Sequence, residues 1–390
     1  MRATRGKVLV AMSGGVDSSV AAAILRNDGY EVIGCFMRLG SPGDELIVKE
    51  GDGCNTRSLK VGHQGCCSVG DAADARLVAA ILDVPFYVCN FREDFGRIIR
   101  HFVSEYADGR TPNPCIRCND WLKFGKLKSY AQQLGADLVA SGHYARIEQR
   151  DGRPRLMRGL DESKDQSYVL FGAAADAIGH MMLPIGGMHK SEVRERAKAL
   201  GLPVFDKPDS QEICFVPDND YAGFVERQRP ELRVEGKIID TAGREVGRHQ
   251  GHHRFTIGQR RGVGVAAGSP IYVVDKRTAD NTIVVGSREE LYFESCTGGE
   301  AQWFVEPAAD WTPCRAQHRY NSDACLAEYR VIAPGHAATQ SGRSGRFEVR
   351  FAEPQFAVAP GQAIVLYGRD EPSLVLGGGW IERAVRKGKS

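Results

Sequence analysis

From residue 7 to residue 144, short apolar runs alternate with longer amphipathic stretches. "KVLVAM" leads through a glycine turn into "SSVAAAILRNDG", which reads as a helix closed by Gly29. "EVIGCFM" predicts the next strand, "DAADARLVAAILDV" the next helix and "PFYVCNF" a third strand. "FGRIIRHFVSEYADG" and "WLKFGKLKSYAQQLG" carry helical spacing, and "ADLVASGH" reads as a buried strand. Strands and helices in this alternation predict an α/β fold with an open, doubly wound parallel sheet. Ligands of such sheets bind beyond the carboxyl ends of the strands.

The polar, Gly-rich stretch between Gly40 and Asp71 is a long loop by ordinary standards, and such loops are functional or mobile. "YARIEQRDGRPRLMRG" predicts a hairpin turning at Asp151-Gly152. "SEVRERAKALGLP" predicts a helix with Val193, Ala197 and Leu200 on one face. From about residue 225 the rhythm changes to short β-like runs punctuated by glycine, among them "GKIIDTAG", "PIYVVDKRTADNTIVVG", "CLAEYRV" and "RFEVRFAEPQFAVAPGQAIVLY". These predict one or two small β-domains.

Composition narrows the class. At 390 residues the chain exceeds one ordinary core, so two or three domains are expected. Hydrophobic content of 42% and charged content of 26% are those of a soluble globular protein. The net charge of +2 means that any grip on nucleic acid needs clustered basic residues. No apolar run is long enough to span a bilayer, and no secretory signal is legible. Eleven cysteines without such a signal predict a reducing cytoplasm, with thiols kept for chemistry or packing.

Two stretches carry candidate chemistry. "AMSGGVDSSV" lies where the first strand hands over to the first helix. Gly14 and Gly15 permit close backbone approach, Ser13, Ser18 and Ser19 offer hydroxyls, and the helix start offers N–H donors to an anion. Asp17 beside phosphates calls for a cation, most simply Mg²⁺. A tight turn with an ordinary cap would use the same residues. In "TPNPCIRCND", Cys115 and Cys118 follow two prolines and precede a helix, whose N-terminus favours thiolate. Cys214 lies in a second Pro-bounded polar segment, "DKPDSQEICFVPD". Cys35, Cys89, Cys296, Cys314 and Cys325 read as small buried hydrophobes. Cys54, Cys66 and Cys67 are candidate zinc ligands of irregular spacing. His249, His252 and His253 in "HQGHH" read as a phosphate-contacting or solvated loop, with a metal patch as the alternative.

"SGGVDSS" resembles the PP-loop of ATP pyrophosphatases. Together with "GRTPNPCIRCN", "ASGHYA", "KDQSYVL", "LPIGG", "SQEICF" and "FTIGQRRGVG", it occurs in the order seen in bacterial tRNA-specific 2-thiouridylases, the MnmA family. The resemblance implies a PP-loop domain over residues 1–224, a central tRNA-binding domain over 225–290 and a β-barrel-like domain over 291–390. It implies that ATP adenylates O2 of the wobble uridine in Lys-, Glu- and Gln-type tRNAs. Sulfur then arrives as a persulfide from a carrier protein or cysteine desulfurase. Carried over by position, Ala11, Met12, Ser13, Gly14, Gly15, Val16, Asp17, Ser18, Met37 and Gly142 would hold ATP. Cys214 would carry the persulfide, and either Cys118 would attack it to release sulfide or the persulfide itself would attack C2. Asn113, Pro114 and Cys115, His143, Lys164, Asp165 and Gln166, and Arg319, Tyr320 and Gln355 would contact tRNA.

One departure stands out: family members often have Asp where this chain has Cys115. The third thiolate opens an alternative in which Cys115, Cys118 and Cys214 hold a [4Fe–4S] cluster that binds sulfide. Two readings of other classes are another PP-loop ligase acting on a small acceptor, and a non-catalytic RNA-binding or redox-sensing protein. The first leaves "TPNPCIRCN" and "SQEICF" without a task; failure to turn over ATP with any RNA would favour the second.

Overall fold

The computed structural model describes residues 4–40, 69–173, 175–209, 213–216, 218–265, 268–334 and 345–388. Cys54, Cys66 and Cys67, with the rest of residues 41–68, lie outside the described residues. The amino-terminal part contains β1 (Lys7–Ala11), α1 (Val16–Asn27), β2 (Glu31–Arg38), α2 (Val69–Ile81), β3 (Phe86–Asn90) and α3 (Arg92–Ala107). It continues with α4 (Pro114–Arg117), a π-helix (Cys118–Lys126), α5 (Leu127–Gln133), β4 (Leu138–Ala140), the hairpin β5 (Ala145–Arg150) and β6 (Arg153–Arg158), α6 (Ser167–Leu170) and β7 (Met181–Met182). Last come α7 (Lys190–Ala199) and α8 (Tyr221–Gln228).

The sheet order is β3-β2-β1-β4-β7, and every pairing is parallel. Strand β1 shows why "KVLVAM" is apolar throughout. Leu9 and Ala11 face one buried cluster and Val8, Val10 and Met12 the other. A parallel strand covered on both faces has no position to spare for a polar side chain. The hairpin turns at Asp151 and Gly152, both at positive φ, as the Asp-Gly pair predicts. In α7, Val193 and Ala197 are buried, but Leu200 lies just past the helix and is 39% exposed.

A four-stranded sheet of order β10-β11-β8-β9 follows, from β8 (Gly236–Asp240), β9 (Glu245–His249), β10 (Tyr272–Arg277) and β11 (Thr282–Gly286). Then β12 (Tyr292–Trp303), β13 (Thr312–Gln317), β14 (Cys325–Pro334), β15 (Gly345–Phe356), β16 (Ala363–Gly368) and β17 (Val375–Arg386) close into a six-stranded barrel. Among the described residues no helix is long and apolar enough to cross a membrane.

The barrel is built into both neighbours. Along β16, Ala363, Val365 and Tyr367 join the core of the amino-terminal domain, while Ile364 and Leu366 join the core shared with the central sheet. A barrel strand facing solvent would alternate apolar and polar residues; this one is apolar on both sides because a domain covers its outer face. The 'HQGHH' histidines are likewise drawn inside, contrary to the expected phosphate-contacting or solvated loop. His252 Nε2 lies 2.9 Å from the Ala107 carbonyl and His253 Nε2 lies 2.9 Å from Glu226. His249 Nε2 lies 3.1 Å from the Asn281 carbonyl, so it braces the central sheet itself while His252 and His253 reach α3 and α8.

Phe102 is fully buried, with ring centroids 4.9 Å from Tyr106, 5.1 Å from Phe215 and 6.2 Å from Phe224. Phe102→Ala should therefore cost about 3–5 kcal/mol, read as a lower urea midpoint. An unchanged midpoint would show that this cluster does not hold the segment around Phe215. His318 is buried beside Phe351, and burial, with Arg319 adding, lowers its pKa to about 4. Unfolded imidazole takes up its proton at a higher pH, so this contribution to stability should be lost as pH falls from about 6.5 to about 4. Urea midpoints across that range should fall less steeply in His318→Leu than in the parent.

Candidate active site

The glycine turn sits at the carboxyl end of β1. Ser18 Oγ accepts from the Ser13 N–H at 3.2 Å, and Ser19 Oγ donates to the Gly15 carbonyl at 2.8 Å. Gly14 has φ of +75°, and a Cβ there would lie 2.2 Å from the Asp71 carbonyl oxygen. No other residue fits. Gly142 is required for a different reason: its Cβ would come within 2.5 Å of the Ser18 nitrogen. "ASGHYA" is thus pressed onto the start of α1. Met37 lies near the carboxyl end of β2, so the expected ATP residues share one end of the sheet.

Asp17 is the electrostatic centre. Its carboxylate accepts from Tyr144 Oη at 2.8 Å and from Lys190 Nζ at 2.8 Å on both oxygens. Lys190 also lies 2.8 Å from Asp209, whose other oxygen takes Lys164 at 2.8 Å. Burial opposes ionisation of Asp209, but Lys164 and Lys190 outweigh it and lower its pKa to about 2. Lys207 Nζ donates to the Gly14 carbonyl at 3.0 Å, to Asp71 at 2.7 Å and to Asp74 at 2.6 Å. One chain of ion pairs therefore joins the glycine turn to the segment leading to Cys214. The two carboxylates already share a cation, and their oxygens are the donors Mg²⁺ prefers.

Sequence reasoning missed Tyr144, Lys190, Lys207 and Asp209. Lys190 did leave a signal, as the first residue of α7. A cation at the positive end of a helix is locally unfavourable, and such conflicts mark functional positions.

The thiol-bearing loop has its own scaffold. Asn113 Oδ1 accepts from the Cys115 N–H at 3.1 Å and caps α4, with Pro114 at the first helical position. At Cys118 the helix widens into the π-helix, a form concentrated at functional sites. Cys115 is exposed, whereas Cys118 and Cys214 are half-buried and pack against the main core. Among the described residues no three His, Cys, Asp or Glu side chains gather closely enough to hold a metal ion.

The barrel forms the far wall of this loop. Thr111 donates its N–H to the Pro360 carbonyl at 2.9 Å, and Gln362 donates to the Thr111 carbonyl at 2.7 Å. Arg117, between the two cysteines, is buried. It binds Glu300 of β12 through both terminal nitrogens, at 3.0 and 2.9 Å, and stacks 4.1 Å from the Trp380 ring.

The expected tRNA-contacting residues divide. Asp165 accepts from the Gly159 and Ser167 N–H groups at 3.0 Å each, and Gln166 Oε1 accepts from the Tyr144 N–H at 2.9 Å. Their side chains hold the loop. His143 is buried, with Nδ1 2.7 Å from Ser141 Oγ; burial and then Lys123 keep its pKa well below the usual value, so it is neutral. Tyr320 is 41% exposed on the barrel, its ring 6.0 Å from that of Tyr168, and its pKa is raised by burial, then by Asp165 and Cys115. Arg319 donates to the Ala357 carbonyl at 2.7 Å, close to the end of β15 that carries Gln355.

Removing the charge of Glu300 with Glu300→Gln should destabilise the protein by about 2 kcal/mol, a buried-pair cost discounted for the partial exposure of Glu300. Chemical denaturation measures it; a change within error would mean that the pair does not clamp the loop.

A model described as the tRNA methyl transferase HUP domain matches residues 6–218. Models described as the tRNA methyl transferase PRC-barrel domain and the Aminomethyltransferase beta-barrel domain match 222–287 and 293–381. A tRNA-specific 2-thiouridylase MnmA of Rhodopirellula baltica is 45% identical, covering 97% of each chain. Its namesake in Geotalea uraniireducens is 45% identical over 98% of this chain and 96% of its own. That of Geobacter metallireducens is 44% identical over 98% and 99%. Identity at this level from end to end, over all three folded parts, means that the chain belongs to the tRNA-specific 2-thiouridylase family.

Proposed function

We propose that this protein is a tRNA-uridine 2-sulfurtransferase, which uses ATP to replace O2 of the wobble uridine in Lys-, Glu- and Gln-type tRNAs with sulfur. The observation that carries the reading is the ion-pair chain from Asp17 through Lys190 to Asp209, which couples the glycine turn to the Cys214 segment. An enzyme that activates an oxygen and then delivers sulfur to the same carbon needs its phosphate site and its sulfur carrier linked.

In the first step O2 of the uridine attacks the α-phosphorus of ATP and diphosphate leaves. Ser13, Gly14, Gly15 and Ser18 would cradle the phosphates, and Lys190 would offset their charge once ATP competes for it. Mg²⁺, held by Asp17, would supply further charge neutralisation to the phosphates. In the second step Cys214 carries a persulfide received from a donor protein persulfide. The Cys118 thiolate attacks the Cys214 sulfur, a Cys118–Cys214 disulfide forms, and hydrosulfide leaves. Hydrosulfide adds to C2, and AMP departs with the former O2. A dithiol reductant then returns both cysteines to thiols. His143, neutral by burial, offers a hydrogen bond without charge beside the target base. Tyr320 presents an aromatic face for an unstacked anticodon base.

The test is thiolation of unmodified tRNA with ATP and a persulfide donor. Cys118→Ala and Cys214→Ala should each reduce 2-thiouridine to background while tRNA still binds. With Cys118→Ala the persulfide should remain trapped on Cys214, visible by mass spectrometry. Thiolation that survives loss of Cys214 would overturn the persulfide route. Absence of ATP-dependent thiolation in the parent would overturn the function.

A further inference from the structure

A second concave site lies where the three parts of the chain meet, and its lining includes no residue of the glycine turn and no cysteine. Its cavity is about 340 Å³, lined by Gly109 after α3, by Ile257, Val274 and Lys276 of the central domain, and by Phe293 and Arg386 of the barrel. The three parts touch closely here. Gly109 has φ of +76°, and a Cβ on it would stand 2.5 Å from the Thr278 methyl.

Two cations in this lining lack compensation. Lys276 Nζ donates to the Phe255 carbonyl at 2.7 Å. Burial alone lowers its pKa to about 7, and no carboxylate among the described residues offsets that. Arg386 Nη2 donates to the Val274 carbonyl at 2.5 Å, but its Nε is buried without an acceptor. Of the two acids in the lining, only Glu382 is paired with a cation, and neither is paired with Lys276 Nζ or Arg386. Glu382 takes Arg346 at 2.8 and 2.6 Å, and Asp275 accepts from the backbone N–H of Lys276 at 3.0 Å. Arg383, exposed, adds a third cation at the rim.

We propose that this seam binds a phosphate group, with Lys276 and Arg386 as its donors and Arg383 at the entrance. A tetrahedral oxyanion has enough acceptor oxygens to meet an ammonium and a guanidinium from different strands at once. It also supplies the acceptor that Arg386 Nε lacks. The phosphate group belongs either to free inorganic phosphate or to the backbone of bound tRNA. The second source rests on the function proposed above; the first does not.

The experiment has two arms, each run on the full chain, Lys276→Met, Arg386→Met, the rim variant Arg383→Gln and Lys276→Arg. Titration calorimetry with inorganic phosphate tests the free anion. Saturable heat in the parent, weakened about tenfold or more in the Met variants and kept by Lys276→Arg, assigns the site to it. Binding of unmodified tRNA across a KCl series tests the backbone. The plot of log affinity against log salt should become shallower by about one in each Met variant and in Arg383→Gln, with Lys276→Arg like the parent. Arg383 is exposed, so a change in that variant does not come from misfolding. No heat with phosphate, together with parental salt slopes in every variant, overturns the proposal. If tRNA fails to bind the parent at all, the assigned function falls, and the phosphate titration alone decides this site.

Discussion

The ammonium of Lys190, shared between Asp17 and Asp209, is the interaction on which the rest of the site depends. Two carboxylates near a phosphate-binding turn would repel each other and the incoming nucleotide. Placing one cation 2.8 Å from both removes that conflict and fixes three separate segments together. The glycine turn contributes Asp17, the start of α7 contributes Lys190, and the approach to Cys214 contributes Asp209. Because the lysine side chain is only 11% exposed, the pair is screened less than a surface pair would be. Tyr144 and Lys164 extend the arrangement to "ASGHYA" and to the loop of Asp165 and Gln166.

A second constraint acts from the barrel side. Arg117 lies between the cysteines and could not be buried without Glu300 and the Trp380 face, both on barrel strands. The thiol loop is therefore shaped by residues 183 positions away and further along the chain. Strand β16 completes the joint by turning alternate side chains into two different cores. Domains joined in this way do not drift freely, because motion would expose apolar surface on both sides of one strand. The exposed members of the site, Cys115 and Tyr320, sit at the edge of that joint, where a large substrate can reach them.

Much of this was legible in the sequence, and the reasons are local. "KVLVAM" states a strand buried on both faces, and "SGGVDSS" states a turn that only glycine can make before a helix. The Asp-Gly pair states a hairpin. The three histidines of "HQGHH" misled for an equally physical reason. Imidazole suits a metal, a phosphate or a carbonyl, and its surroundings choose between them. Among the described residues the surroundings are backbone carbonyls, Asn281 and Glu226.

The sequence by itself determined the elements and their order, the phosphate turn, the thiols, and the resemblance that joins them. Each depends on chemistry carried by neighbouring residues. Only the tertiary structure decided which charges meet: Lys190 with Asp17 and Asp209, Arg117 with Glu300, and Lys276 and Arg386 with no carboxylate among the described residues. Coulomb interactions depend on distance in space and on burial. Neither is encoded by position along the chain until the strands have closed and the barrel has docked.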